Sequence, residues 1–457
     1  MPEGVVQMEP NIRERVRRAK RASILLASKS AEEKDRALEA MVDALDSNRE
    51  RILAENSLDV SAAQEMVTRG EMGRALLKRL VITESKMDAM VAGIRDVISL
   101  PDPVGRTVDS LELDSGLELY RVSSPIGLIG VIFESRPDVI PQIMSLCLKS
   151  GNATVFKGGS EAMRSNRVLF DILVEAIGSI EGMPSEAFQL METRGDVSAI
   201  LELDQFIDLL IPRGSNQFVR YIQDSTRIPV LGHASGICHV YVDSEIDLEM
   251  AWRVCLDSKV QYAAACNAME TLLVHKDVME EFLPEMARQL IENGVELRCD
   301  SRSLEVLSGI GDIDEFDPVS ATEEDWSTEY NDLVLSMKVV DSMEEAIDHV
   351  NTYGSHHTDA IVTTDAEATA RFASLVDSSS VMVNCSTRFA DGYRYGKGAE
   401  VGISTNKVHA RGPVGMEGLM IYKYVLIGGG HVVEDYSGAQ GRMFTHRRLD
   451  RSYPFRE

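Results

Sequence analysis

The spacing of apolar positions changes character near residue 128. Before it, apolar residues recur at helical intervals: Leu38, Met41, Val42 and Leu45 fall on one face, behind the pair Ser30 and Glu33, a capping-box pattern. The first hundred residues are therefore predicted to be helices. From Leu128 onward, short apolar runs alternate with helical stretches: LIGVIF, a helix to about Lys149, ATVFK, a helix from about Glu161, then FIDLLIP, IPVLG and ICHVYV. Buried strands alternating with helices predict a parallel, doubly wound α/β sheet. A second cycle starts near Asp247, where DLEMAWRVCLDSKVQYAAA reads as helix, and continues through TLLVH, a helix from about Val278, and DAIVTTD. This places a domain boundary near residue 245. Two further segments, DSGLELYRVSS and GLMIYKYVLIGGGHVVEDY, have strand character and either pair as a projecting flap or form ordinary surface hairpins.

Composition narrows the class. At 457 residues the chain exceeds the roughly 250–300 at which single cores stop growing, so two or three packed units are expected. With 44% hydrophobic and 26% charged residues it is too apolar for general disorder. No stretch approaches the roughly 18 uninterrupted apolar residues of a membrane span, and the N-terminus lacks an apolar signal core, so a cytoplasmic protein is expected. A net charge of −26 opposes nucleic-acid binding, which depends on displacing counterions with Lys and Arg. The six cysteines include no CxxC pair and no Cys/His cluster at zinc-ligand spacing, so free thiols and no metal site are expected. The locally basic end, RMFTHRRLDRSYPFRE, is assigned no function.

The usual nucleotide fingerprints, GxGxxG after a strand and GxxxxGK[ST], are absent; YGKGAEVG has the wrong spacing. Two other turns could hold a ribose or phosphate. In one, a strand ends at Lys157 and runs through Gly158, Gly159 and Ser160 into a helix; in the other, a strand ends at Pro212 and Arg213 before Gly214 and Ser215. Each offers a cation and backbone N–H groups at the carboxyl edge of a sheet. Cys266, in VQYAAACNAMETLLVH, follows small residues that would leave room around its sulfur. Local pattern alone leaves it open whether this is a nucleophile or a small buried hydrophobe.

Several long segments, VIFESRPDVIPQIMSLCLKSGNATVFKGGSEA, IPRGSN, PVLGHASGICHVYVD, CNAMETLLVH, TYGSHHTDAIVT, NCSTRF and GAEVGISTNKVHARGPVGMEGL, closely resemble the γ-glutamyl phosphate reductase family of the aldehyde dehydrogenase superfamily. The resemblance covers roughly residues 10 to 430. It implies an aldehyde dehydrogenase-like α/β fold. Residues 1–245 would form an NADP-binding domain with a flap strand near 115–125 and a returning segment near 388–412. Residues 246–387 would form the catalytic domain, and 413–457 an oligomerisation strand and tail.

The same resemblance makes Cys266 the catalytic thiol, with Asn267 beside it and Ser135 where the superfamily places an oxyanion-hole asparagine. It aligns Val230 with the glutamate that activates water in aldehyde-oxidising members, so reduction is favoured over hydrolysis. Lys157 matches the lysine that contacts the adenosine ribose. Ser160 stands where several NAD users carry glutamate, which favours NADPH by relieving repulsion of a 2′-phosphate. Glu329 matches the nicotinamide-ribose contact, with a surface carboxylate as the alternative.

The implied substrate is an acyl phosphate bearing an α-carboxylate and an α-ammonium. Arg136 and Arg388 are candidates for anion recognition and Glu134 for the ammonium, with structural ion pairs as the alternative for both arginines. His233, His356 and His409 lie in family-like segments without a defined role. A homo-oligomer is expected, and glutamate 5-kinase is a candidate partner because acyl phosphates hydrolyse readily. The competing functions are a hydrolytic aldehyde dehydrogenase and a noncatalytic partner of the kinase.

Overall fold

The structure, a computed structural model, describes residues 10–192, 195–233, 235–308 and 318–455. The first nine residues of the N-terminal assignment and the last two of the tail lie outside the described residues. Two compact units are present, Met1–Leu231 with Val414–Glu457, and Gly232–Pro413.

The first unit opens with the helices Pro10–Ala27, Ala31–Ser47, Arg49–Thr68, Arg74–Leu80 and Glu84–Ser99. Ser30 and Glu33 form the reciprocal capping box, which satisfies two backbone donors that the first helical turn leaves over. Leu38, Met41, Val42 and Leu45 are all buried behind it. The core sheet has four parallel strands in the order Phe188–Met191, Ala153–Gly158, Leu128–Phe133, Leu209–Arg213. Both LIGVIF and ATVFK are buried at every position, as parallel strands covered on two faces must be. IPVLG adds a single bridge, Val230 beside Leu210, where Pro229 accepts from Leu210 N but has no N–H to continue a ladder.

A separate antiparallel sheet has the order Met420–Ile427, Leu117–Pro125, Thr107–Asp114, Arg447–Arg448. Met420 pairs with Pro125 and Ile427 with Glu118, so the two strand-like segments far apart in sequence are neighbours in one sheet.

The second unit is a seven-stranded parallel sheet, in the order Val319–Ser320, Glu296–Cys299, Val334–Val340, Met269–His275, Cys238–Val242, Thr358–Val362, Ser380–Val383. This moves the boundary expected near 245 to residue 231. The run ICHVYV pairs with Met269–His275 and Thr358–Val362 rather than with any strand of the first unit. Residues 388–412, expected to return to the first unit, stay in the second, while 414–457 join the first through the strand Met420–Ile427. An apolar run shows that a strand is buried, but only its hydrogen-bonded neighbours decide in which sheet.

The helix expected across DLEMAWRVCLDSKVQYAAA covers Leu248–Val260, started by the Asp247 side chain accepting from Met250 N. Turns then carry the chain through Cys266 to the strand at Met269. Among the described residues no helix is long and apolar enough to cross a membrane.

Candidate active site

In the first unit, three of the expected segments meet at the carboxyl edge of the four-stranded sheet. Phe133 is in register with both Gly158 and Arg213, so the turns after these strands leave at one level. Glu134 and Glu161 tie them together. Glu134 N donates to Arg213 O at 2.9 Å, and its Oε2 accepts from Ser215 N at 2.9 Å. Gly214 lies beneath that carboxylate, where a Cβ would come within 2.5 Å of Oε2.

Ser135 has φ of 46° and is buried, and its N and Oγ donate to Glu161 Oε1 at 2.7 and 2.9 Å. Gly159 sits against the same carboxylate, with a Cβ position 2.1 Å from Oε1. The hydroxyl proposed from sequence as an oxyanion donor is thus engaged by a neighbouring loop. Glu134, the candidate ammonium partner, caps the Gly214–Ser215 turn.

Lys157 is buried and its Nζ donates to Gly158 O; burial pushes its pKa down, opposed by the charges of Asp196, Glu161 and Glu192. Beside Gly158 stands Asn166, 3% exposed, whose Oδ1 has no hydrogen-bond partner. Ser160 opens a short 3₁₀ turn, and Ser215 immediately precedes the helix Asn216–Asp224. Arg136 pairs with Asp138 at 3.2 Å and stays partly exposed. Val230 is buried.

In the second unit, Cys266 is half-buried on the turn before the strand Met269–His275. Gly236 presses on it: a Cβ there would fall 2.1 Å from Cys266 O and 2.7 Å from its Cα, so only glycine fits. Cys238 Sγ donates to the same carbonyl at 3.3 Å, and burial raises that neighbouring thiol well above its ordinary pKa, leaving it protonated. Asn267 is buried with Nδ2 donating to Ala390 O at 2.9 Å, while its Oδ1 has no partner. Arg388 donates to Gln261 Oε1 at 2.9 Å and lies 5.9 Å from the centroid of the Tyr262 ring. Its pKa is lowered first by burial and then by Arg394, whereas the charge of Cys266 raises it.

Four residues behind Cys266, Glu270 and Lys259 form a fully buried ion pair at 2.6 Å. Burial pushes the carboxyl up and the ammonium down, and their mutual attraction opposes both. Glu270 also accepts from Asn331 N at 3.1 Å, and Glu329 is close enough that its charge raises Glu270 further. Glu329 itself is half-buried.

Glu161, Gly236, Lys259, Glu270 and His357 were missed by sequence reasoning. His356, which it noted, has φ of 58°, whereas the adjacent His357 is the buried one, just before the strand Thr358–Val362. Its place at the mouth of a wholly buried strand was the available signal.

The aldehyde dehydrogenase family model matches residues 7–300. The chain is 64% identical over 443 residues to γ-glutamyl phosphate reductase of Methanococcoides burtonii, covering 97% of this chain and 98% of that one. The crystal structure of γ-glutamyl phosphate reductase from Thermotoga maritima superposes with a TM-score of 0.87 at 38% identity, over 92% of this chain and 99% of that one. At 15% identity and a TM-score of 0.61, glyceraldehyde-3-phosphate dehydrogenase of Methanocaldococcus jannaschii, solved with NADP, shares the fold over 92% of this chain and 94% of its own. The chain therefore belongs to the aldehyde dehydrogenase family and, within it, to the γ-glutamyl phosphate reductases.

Proposed function

We propose that the protein reduces L-glutamyl 5-phosphate to L-glutamate 5-semialdehyde with release of phosphate, the second step from glutamate to proline, using NADPH and a thioester on Cys266. The observation that carries this reading is the half-buried Cys266 on a turn that Gly236 pins. The thiolate is the form that attacks. Sulfur bonds to the γ-carbonyl carbon while the bond to phosphate breaks, leaving an acyl-enzyme. The nicotinamide, when bound, supplies hydride to that carbon. As the carbon–sulfur bond then breaks, the aldehyde leaves and Cys266 is regenerated as thiolate.

Cys266 N–H is the first oxyanion donor in this proposal. Ser135 is the second only when its hydroxyl turns away from Glu161, which takes both of its protons in this structure. Asn267 steadies the turn through Ala390. Arg388 and Arg136 receive the anionic groups of the substrate, and Glu134 its ammonium. Val230 offers no base to activate water against the thioester.

The first unit takes the nucleotide. Its clustered turns, the amine of Lys157, Arg213, the Gly214–Ser215 turn into the helix Asn216–Asp224 and the unpartnered Asn166 Oδ1 suit ribose hydroxyls and phosphates. Glu329 is assigned to the nicotinamide ribose. Ser160 in place of a carboxylate favours the 2′-phosphate, the adjacent Glu161 being held by Ser135. Ile421, Tyr422, Tyr424 and Leu426 stand exposed on the edge strand Met420–Ile427, which suits a homo-oligomer. The kinase that makes the acyl phosphate is the natural partner for its transfer.

Incubation with acyl phosphate in the absence of reduced nucleotide, followed by peptide mass spectrometry, should trap the acyl group on the peptide containing Cys266. An adduct on another peptide, or none, refutes the mechanism. In reverse, oxidation of the semialdehyde should require phosphate or arsenate; phosphate-independent oxidation to the acid would instead mark a hydrolytic dehydrogenase.

A further inference from the structure

Three donors remote in sequence converge in the second unit. Cys266 Sγ, one ring nitrogen of His233 and one of His357 lie within 4.8 Å of one another. The two imidazoles meet edge to face, with centroids 4.8 Å apart and an interplanar angle of 77°. Nδ1 of His233 lies 2.8 Å from Ile403 O. A carbonyl only accepts, so this nitrogen carries the proton and the lone pair sits on Nε2.

His357 is wholly buried; Nδ1 is engaged by Thr358 Oγ1 at 2.9 Å and Cys238 Sγ at 3.7 Å, while Nε2 has no partner. Leaving a buried polar atom unmatched is costly, so this nitrogen suits something that donates a proton or accepts a lone pair.

A thiolate and two neutral imidazoles form a donor set suited to a borderline-soft cation. Tetrahedral zinc with Zn–N near 2.0–2.1 Å and Zn–S near 2.3 Å sets its ligand atoms about 3.3–3.6 Å apart. Reaching this from within 4.8 Å requires shifts of roughly an ångström, which side-chain rotation of the half-buried Cys266 and His233 can supply. Both imidazoles are braced on their other nitrogen, as metal-bound histidines usually are.

We propose that Cys266, His233 and His357 form a three-ligand site for Zn²⁺ or a similarly thiophilic divalent cation, with water in the fourth position, and that its occupancy reversibly blocks the thiol. On binding, the Cys266 proton passes to solvent as the sulfur–metal bond forms; nothing is oxidised or reduced. The blocking effect rests on the proposed role of Cys266 as nucleophile, whereas the binding does not.

The test uses the reduced, chelator-stripped full chain titrated with Co²⁺. A thiolate-to-cobalt charge-transfer band should rise to saturation at one ion per chain, vanish on adding Zn²⁺ or EDTA, and be missing in Cys266→Ser. His357→Ala should weaken binding by at least the roughly 10–100-fold that loss of an outer-shell partner costs. His233→Ala, at a half-buried position, serves as the second variant if the first fails to fold by circular dichroism. Absence of the band, or unchanged affinity in a folded histidine variant, overturns the site. Zn²⁺ should also stop turnover, with recovery on EDTA. A saturated site with unaltered turnover would instead leave the metal site standing and remove Cys266 from the mechanism.

Discussion

The carboxyl edge of the four-stranded sheet and the surroundings of Cys266 hold their charged groups in different ways. At the sheet edge, Glu134 and Glu161 fold back onto the backbone, so the turns are fixed by charge-assisted hydrogen bonds from Ser215 and Ser135. Around Cys266, Asn267 Oδ1 and His357 Nε2 are buried without partners, and a Lys259–Glu270 pair lies entirely out of solvent. In the first arrangement the carboxylates take up the donors of the turns and fix their course. The second retains unmatched groups and buried charge, the condition in which chemistry is arranged at some cost to stability.

The comparison can be broken most forcefully at the ion pair. Lys259→Met leaves the Glu270 carboxylate buried and alone and should destabilise the second unit by about 3–5 kcal/mol, whereas the double variant Lys259→Met/Glu270→Leu should recover most of that loss. Urea unfolding followed by tryptophan fluorescence reads this unit selectively, because both tryptophans, Trp252 and Trp326, lie in it. Equal losses in the single and double variants would show that the pair does not act as a unit.

A smaller effect is expected at Gly236→Ala, where the added Cβ must displace the Cys266 turn. Steady-state kinetics should show kcat falling about 10²-fold with little change in nucleotide affinity. Unchanged kcat would mean that the thiol does not need this placement. The smallest effect belongs to Ser135→Ala. A dedicated oxyanion donor is worth about 10²–10³ in kcat, but this hydroxyl is held by Glu161, so less than about a tenfold loss is expected. A loss in the dedicated range would show that Ser135 leaves Glu161 during the reaction.

The strands at LIGVIF, ATVFK and TLLVH, the capping box at Ser30 and Glu33, and the turns after Lys157 and Arg213 were legible because each is written in adjacent residues. Hydrophobic period, capping chemistry and glycine placement act over a few positions, and the long family motifs singled out Cys266 among six cysteines. The partition at residue 231 was not legible, since which sheet Cys238–Val242 joins depends on strands beginning 31 and 120 residues further on, at Met269 and Thr358.

The sequence by itself determined the alternation of elements and the family, and the family motifs pointed to Cys266. Only the tertiary structure decided that Glu161 holds Ser135, that Gly236 seats Cys266, and that His233 and His357 flank its sulfur. Local signals report what a residue does to its own backbone. A site made of side chains from distant segments exists only once the sheet has set their distances, and no spacing along the chain encodes that.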